Sequence, residues 1–556
     1  MSPAVSLLPW QRTGAPPSAS ASASGQVSPF APPQRRAANT TLYVAGVAGT
    51  FLAAGMLVSA AVGWGYGDPA KGDLAVAGTV IGLVSLVLWR STRPVAGLSR
   101  ISAFTVVGFA WIYVFFAATA PYVLAGTFDS FVNALFESVS GLTTTGSTVL
   151  ANIEEEGRGL LLYRQYTQWF GGGGIVLLAV AIIQGFGVGG LELAGAEIAG
   201  PVTERIAPRM ATTARRLWTV YGSLTLAVVL GLLLVGAGPY EAVAHAMTSV
   251  STAGFSTFDN SIAGFDSAAV EAVLILGMLA GATSFGLQYR AYTQGPRLLL
   301  QSREFRTYMT MFATGVVVVV LINLGDGMES ATAWRDGLFS VTTTLTGTGY
   351  TTADFTRWLP GAQLLLLVFM VMGGMTGSTT GALKQMRVRL LLSYVWRDVR
   401  RTRQPHGVYP IRLGKAVVPE DTVSRVVAFV SLYLATILVG TIVLTLLGED
   451  ALTALSGVIS DLGLVGPGLG DAGPTSNFLV FSEPSQVVLI VLMFLGRMEL
   501  YVALLMFVAP MNAVRRAAHE RQRSRAAKTP VSPTAAPPRR ELVTAPRRGL
   551  PSEQEA

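Results

Sequence analysis

Thr346-Gly347-Thr348-Gly349-Tyr350-Thr351-Thr352 lies in the connection between two long apolar runs and closes a half-apolar, helix-like stretch over 331–352. A helix-like stretch of roughly 10–14 residues is too short to cross a bilayer and reads as re-entrant. Three other connections have the same form, at 128–148, 240–257 and 450–470. Their loops are Thr143-Thr144-Thr145-Gly146-Ser147-Thr148, Ser251-Thr252-Ala253-Gly254-Phe255-Ser256-Thr257 and Leu462-Gly463-Leu464-Val465-Gly466-Pro467-Gly468. The central glycines Gly146, Gly254, Gly349 and Gly466 are 108, 95 and 117 residues apart in turn. Solenoid repeats have periods of roughly 20–50 residues. A period near one hundred fits instead a fourfold duplication of one unit: span, half-helix, loop, span.

Composition supports the membrane setting. Of 556 residues, 51% are hydrophobic and only 13% charged, and the mean hydropathy is +0.51. Soluble globular chains carry about 25% charged residues. There is no cysteine, which excludes disulfides, thiolate catalysis and Cys-ligated metal sites. The net charge of +8 fits basic loops on one side of a membrane better than a nucleic-acid partner. A span needs about 20 residues at about 1.5 Å each, and ten are expected: 42–64, 74–90, 101–124, 160–187, 214–236, 267–289, 307–324, 361–391, 422–446 and 485–509. Ten spans put both ends of the chain on one side. Arg90, Arg93 and Arg100, then Arg290, Arg297, Arg303 and Arg306, then Arg397, Arg400, Arg401 and Arg403 all fall on that side, which the positive-inside rule makes cytoplasmic. The expected divisions are a disordered tail (1–38), two extra spans (39–98), four repeats (99–212, 213–304, 305–418 and 419–512) and a disordered basic tail (513–556).

Non-helical backbone is tolerated at membrane depth only inside protein or along a water-filled cavity. Four such loops about one axis make a ring of carbonyl oxygens, which can replace the hydration shell of a monovalent cation, as in potassium channels. Glycine permits the dihedrals that turn carbonyls inward. The half-helices aim partially negative C-terminal ends at the same place, and threonine hydroxyls add oxygen ligands. Candidate ion-binding residues are Thr144, Thr145, Gly146 and Ser147; Thr252, Ala253, Gly254 and Phe255; Gly347, Thr348, Gly349 and Tyr350; Leu464, Val465, Gly466 and Pro467. Any one loop alone reads as a turn at a helix end; four at matched positions do not. Glu137, in the first half-helix, either supports its loop electrostatically or is a buried hydrogen-bond acceptor.

The eighth span is interrupted by Gly373-Gly374-Met375-Thr376-Gly377-Ser378-Thr379-Thr380-Gly381. Each interior glycine costs a helix about 1 kcal/mol relative to alanine, so this run is expected to unwind and constrict the path. Close helix packing through Gly373 and Gly377 is the competing reading. Arg497, inside the tenth span, costs at least about 2.5 kcal/mol at membrane depth; it either faces the path or makes a structural pair with Glu499 or a neighbouring helix. Lys384 either snorkels to the interface or holds the loop. Gly185-Phe186-Gly187-Val188-Gly189-Gly190 matches a dinucleotide fingerprint but follows a membrane helix rather than a strand. His245, His406 and His519 have no metal-ligand spacing, and His245 reads as a packed residue. No cluster of catalytic groups emerges, so an intramembrane enzyme is disfavoured.

These motifs resemble the Trk/Ktr/HKT superfamily of potassium transporters, and its TrkH/KtrB branch most closely, over roughly residues 100–510. Besides the loops, the resemblance rests on several distributed motifs. They are Gln168-Trp169-Phe170-Gly171-Gly172; Ala196-Glu197 through Gly200-Pro201; Pro208-Arg209, Thr213-Ala214, Leu217-Trp218 and Tyr221; Gly373-Gly374 with Gly377-Ser378-Thr379 and Gly381 to Lys384; and Gly496-Arg497-Met498-Glu499. It implies an all-α membrane protein with four pore repeats around one pore and two extra N-terminal helices, in the plasma membrane. It also implies potassium as substrate, a filter, a gate at Gly373, Gly374, Gly377, Ser378, Thr379, Gly381, Lys384 and Arg497, and no cofactor in this chain. A homodimer and a cytoplasmic ring of TrkA/KtrA-like nucleotide-binding subunits are implied as partners. Serine at the first filter glycine goes with sodium in this superfamily; glycine at all four positions favours potassium over a sodium or unselective pathway. Ala382 departs from the pattern, which often has glycine there.

Overall fold

The computed structural model describes residues 33–94, 100–186, 206–413 and 416–501, with 503, 504 and 506. Residues 1–32 of the first tail, the C-terminal tail, the segment Ala196-Glu197 to Gly200-Pro201 and Gly187-Val188-Gly189-Gly190 lie outside the described residues, while residues 33–38 of the first tail are helical.

The chain opens with α1 (Pro33–Tyr66), α2 (Lys71–Ser91) and α3 (Arg100–Ala125). The first two form an antiparallel hairpin that packs on α3 and on α5 (Arg158–Phe186), with α4 (Phe131–Thr143) between the latter two in sequence. The hairpin turn contributes to its neighbour: the Asp68 carboxylate accepts from Gly159 N at 2.8 Å and Leu160 N at 3.2 Å. These are otherwise unsatisfied donors at the start of α5. Tyr166 donates to the Phe51 carbonyl at 2.7 Å, and its ring fills the notch that Gly55 leaves in α1.

The unit of long helix, short helix, loop and second helix then recurs: α6 (Ile206–Leu234), α7 (Pro239–Val250), α8 (Ala268–Gly281) and α9 (Phe285–Gln294). After α10 (Arg297–Gln301) come α11 (Arg303–Gly325), α12 (Ser330–Thr346), α13 (Pro360–Met372) and α14 (Gln385–Arg403). The last unit is α15 (Glu420–Leu446), α16 (Ala451–Gly463) and α17 (Glu483–Arg497). Local signals set the starts. Ser130, Ser267, Ser302 and Asp450 accept backbone N–H bonds as N-caps, and proline opens α7 and α13. The short helices α4, α7, α12 and α16 have 13, 12, 17 and 13 residues, so a typical one reaches about 20 Å, well short of a bilayer core.

Among the described residues, six helices are long and apolar enough to cross a membrane unaided. Leu83, Leu276, Leu321, Leu364 and Leu438 point outward, each more than half exposed, as suits a lipid-facing surface. Several of the ten expected spans are not continuous. The eighth is broken as its glycines suggest. The sixth, expected unbroken over 267–289, bends by 100° between α8 and α9, because its freed carbonyls bond elsewhere. The tenth, expected over 485–509, breaks at Met498 and Glu499, the latter at φ +55°. A two-residue antiparallel ladder, Arg412–Leu413 with Ala416–Val417, is a small exception to the all-helical expectation.

Candidate functional site

The four short helices end in one way. Thr144, Thr252, Gly347 and Leu464 adopt left-handed φ of 60°, 52°, 64° and 58°. The next residue of each loop then donates its N–H five residues back: Thr145 to Ser140, Ala253 to Thr248, Thr348 to Thr343 and Val465 to Ser460, all at 2.9–3.0 Å. These bonds satisfy carbonyls that a helix end leaves free. The glycine that follows is again left-handed, with φ of 91° at Gly146, 85° at Gly254, 85° at Gly349 and 111° at Gly466. Three of the four turn residues are not glycine and take this strained conformation nonetheless, at roughly 1–2 kcal/mol each.

The loops close a circle. A methyl group on Gly146 would lie 2.2 Å from the Ala253 carbonyl oxygen. One on Gly254 would lie 2.0 Å from that of Thr348, one on Gly349 1.9 Å from that of Val465, and one on Gly466 3.0 Å from that of Thr145. Each glycine thus abuts the carbonyl preceding the glycine of the next loop, and the fourth abuts the first. The residue after each glycine reaches back the other way. Phe255 lies under the Arg164 guanidinium at 4.2 Å. Tyr350 bonds the Thr248 hydroxyl and donates to the His245 carbonyl at 3.1 Å. Pro467 packs on Gly349, and Ser147 bonds Asp461 of α16.

Side chains behind the circle brace it. Glu137 and Arg164, both fully buried, form a pair at 2.7 Å. Glu137 also accepts from Thr148 Oγ1 at 3.0 Å and from Val149 N at 3.0 Å. It is therefore tied both to its loop and to a cation. Gln168 clamps the second loop, donating to Ala253 O at 2.8 Å and accepting from Phe255 N at 3.0 Å. His245 is a packed residue against Phe265 and Ser256. Arg164, Gln168 and Asp461 were not singled out as site residues from sequence. Arg164 and Asp461 carried one signal, an ionisable group within apolar sequence.

The glycine-rich break over 373–384 lies against the C-terminal caps of the short helices. Thr379 Oγ1 accepts from the Thr252 hydroxyl at 3.0 Å and donates toward Gly281 O at 3.1 Å. A methyl on Gly381 would lie 2.3 Å from Gly463 O. Met375 N donates to Ala282 O at 3.0 Å, and Phe285 N to Gly377 O at 3.0 Å. These bonds account for the bend between α8 and α9: the carbonyls a straight helix would use internally hold the loop instead. Gly373 at φ 68° and Gly377 at 79° need the freedom of glycine, so the packing-only reading of that pair fails. Gly374 sits within van der Waals reach of Ala282, and Ser378 bonds Thr380 at 2.8 Å.

Arg497 does not pair with Glu499. It is buried, and its guanidinium donates to Thr144 Oγ1 at 2.9 Å, to Gly171 O at 2.5 Å and toward Thr379 O at 3.4 Å. It therefore joins the cap of the first loop, α5 and the broken segment. Glu499 instead receives Arg387 at 2.6 Å and Lys384 at 4.0 Å, which places Lys384 in a charge cluster rather than snorkelling.

Comparison with known proteins gives this geometry a family. The TrkH family, described as cation transport protein, matches residues 78–515. The chain is 35% identical over 410 residues to the Trk system potassium uptake protein TrkH of Vibrio parahaemolyticus, covering 72% of this chain and 84% of that one. It is 33% identical over 432 residues to the Trk system potassium uptake protein TrkI of Halomonas elongata, covering 77% and 86%. The crystal structure of the potassium transporter TrkH from Vibrio parahaemolyticus superposes with a TM-score of 0.78 at 32% identity, over 84% of this chain and 98% of that one. With four quasi-equivalent units, a closed circle of loops and matches of this extent, the chain belongs to the TrkH family of cation transport proteins and is a multi-pass membrane protein, not an enzyme.

Proposed function

We propose that this chain carries potassium ions across the plasma membrane into the cell, through the circle of four loops. The observation that carries the reading is the closure of that circle, each filter glycine set against the next loop's carbonyl. The filter then comprises residues 144–147, 252–255, 347–350 and 464–467, and selects by carbonyl and hydroxyl oxygens. Glycine at all four positions supports potassium rather than sodium. The relatives' printed names, potassium uptake proteins, support the same substrate.

The segment 373–384 and Arg497 act as the gate in this reading. The segment touches the second and fourth caps directly and the first through Arg497, so its withdrawal and the opening of the path are one event. Arg497 adds a positive charge that opposes cation passage. A membrane potential of 100 mV is worth about 2.3 kcal/mol per monovalent cation, enough to drive uptake against a concentration gradient of about fiftyfold. Both ends of the chain are cytoplasmic, the transporter is a homodimer, and a nucleotide-binding ring of regulatory subunits docks on its cytoplasmic face.

The test is rubidium uptake into liposomes holding the purified protein, competed with sodium, with and without an imposed potential. Uptake that follows the potential and resists sodium is expected. Gly146→Ser, which puts a side chain against Ala253 O, should lower the preference for rubidium over sodium. Unchanged competition in that variant would remove the filter assignment.

A further inference from the structure

The broken segment 373–384 is held by the helix caps above it and, at one further point, by a side chain that belongs to neither the loops nor the segment. Met375 N donates to Ala282 O and Gly377 O accepts from Phe285 N, both at 3.0 Å. The bend between α8 and α9 thus grips the residues on either side of Thr376. The Thr376 N–H goes to another element, donating to Glu304 Oε1 at 2.8 Å. A backbone N–H taken out of a helix needs such a partner. The bond depends on no particular protonation state, since a carboxyl group can accept a hydrogen bond in either.

Glu304 is half-buried in the first turn of α11. Ser302 caps that turn, accepting from Phe305 N at 3.3 Å, and the partial positive charge of a helix start favours a carboxylate there. Seven residues on, hence on the same face of α11, Met311 Sδ lies 3.5 Å from Gln385 Nε2 at the start of α14. Tyr308, between them, is fully buried. One face of α11 therefore runs along the segment from Thr376 to its exit at Gln385. Just before α11 the chain is open to its surroundings, with Tyr292, Arg297, Leu300 and Arg303 exposed. Thr376 can leave its place only if the first turn of α11 moves with it or the bond to Glu304 breaks.

We propose that Glu304 is a positioning residue for the gate: by accepting from the Thr376 N–H it keeps the segment in its closing position and ties that position to the start of α11. The inference rests on the reading of the segment as a gate. It gives a side chain outside the pore loops control over how readily ions pass, with no part in choosing them.

The test is basal rubidium flux and rubidium–sodium competition in the same liposome assay, on Glu304→Ala, Glu304→Gln, Glu304→Asp and Arg497→Ala, each checked for a monodisperse profile. Glu304→Ala loses the acceptor and should raise basal flux about three- to tenfold, the worth of one hydrogen bond, with the preference for rubidium over sodium unchanged. Glu304→Gln keeps a carbonyl oxygen at the same reach and should stay within about twofold of wild type. Glu304→Asp keeps the charge but stops one methylene short, and should leak as alanine does. A rise in flux that comes with a loss of preference would overturn the assignment, because the loops and not the gate would then have been disturbed. Wild-type flux in Glu304→Asp, or a Glu304→Gln protein as leaky as Glu304→Asp, would also overturn it, even if Glu304→Ala does not fold. Arg497→Ala separates the two levels. If it raises flux and the Glu304 variants do not, only the hold by Glu304 fails; if none of them raises flux, the gate reading fails with it.

Discussion

At the scale of single residues, two positions carry testable consequences for the proposed gate. Arg497 is a buried cation held by a threonine hydroxyl and two carbonyl oxygens, with no carboxylate partner among the described residues. Its charge is therefore not cancelled locally. Arg497→Ala should raise basal rubidium flux by about tenfold, which corresponds to about 1.4 kcal/mol off the barrier. Arg497→Lys should fall between the two, since an ammonium keeps the charge but not the planar fork that reaches several acceptors. Unchanged flux in well-folded Arg497→Ala would remove the role. Ala382 sits at φ +58° with its Cβ close to Gly373. The left-handed penalty of roughly 1–2 kcal/mol outweighs the extra chain freedom of glycine, roughly 0.5–1 kcal/mol. Ala382→Gly should therefore stabilise the conformation seen here and lower basal flux about two- to fivefold. The alanine that breaks the superfamily pattern thus sits where the backbone asks for glycine.

At the scale of elements, the short helices depend on what stands behind them. Removing one partner of a buried ion pair leaves the other charge uncompensated and costs about 3–5 kcal/mol. Glu137→Ala should therefore lower the thermal midpoint sharply and weaken ion selectivity, because the same carboxylate holds Thr148 and Val149. Removing Arg164 as well should recover part of the loss, read as a rise in the midpoint over the single variant. The loops themselves were legible in sequence. Left-handed backbone favours glycine, so the circle of loops left a mark at Gly146, Gly254, Gly349 and Gly466. The break in the eighth span was legible for the same reason. The bend at Ala282-Thr283-Ser284 and the break at Met498-Glu499 were not. Those residues are compatible with helix; at the first break the distant groups Met375, Gly377 and Thr379 take up backbone polar atoms, and at the second Arg387 pairs with the Glu499 carboxylate. Tertiary bonds leave no local signal. Arg497 was visible as a charge at membrane depth, but its partners are residues 144, 171 and 379, which only the fold brings near.

At the scale of the whole molecule, ion binding and stability are linked. A ligand that binds only the folded circle stabilises it by about 2.7 kcal/mol at one hundred times its dissociation constant. The melting midpoint of the purified protein should rise with potassium or rubidium and less with sodium at equal ionic strength, and Gly146→Ser should narrow that difference. Equal midpoints in the two wild-type salts would count against selective binding at the loops. The extra N-terminal hairpin belongs to this scale too, since Asp68 satisfies the start of α5. The circle of loops also has a consequence for how such a protein changes over generations. In a pore assembled from four identical subunits, one codon change is felt four times at once, and an altered filter is altered all round. Here each quadrant is encoded separately: the positions after the filter glycines hold Ser147, Phe255, Tyr350 and Pro467. A mutation therefore changes one quarter of the ring, and ion preference can drift in small, individually survivable steps.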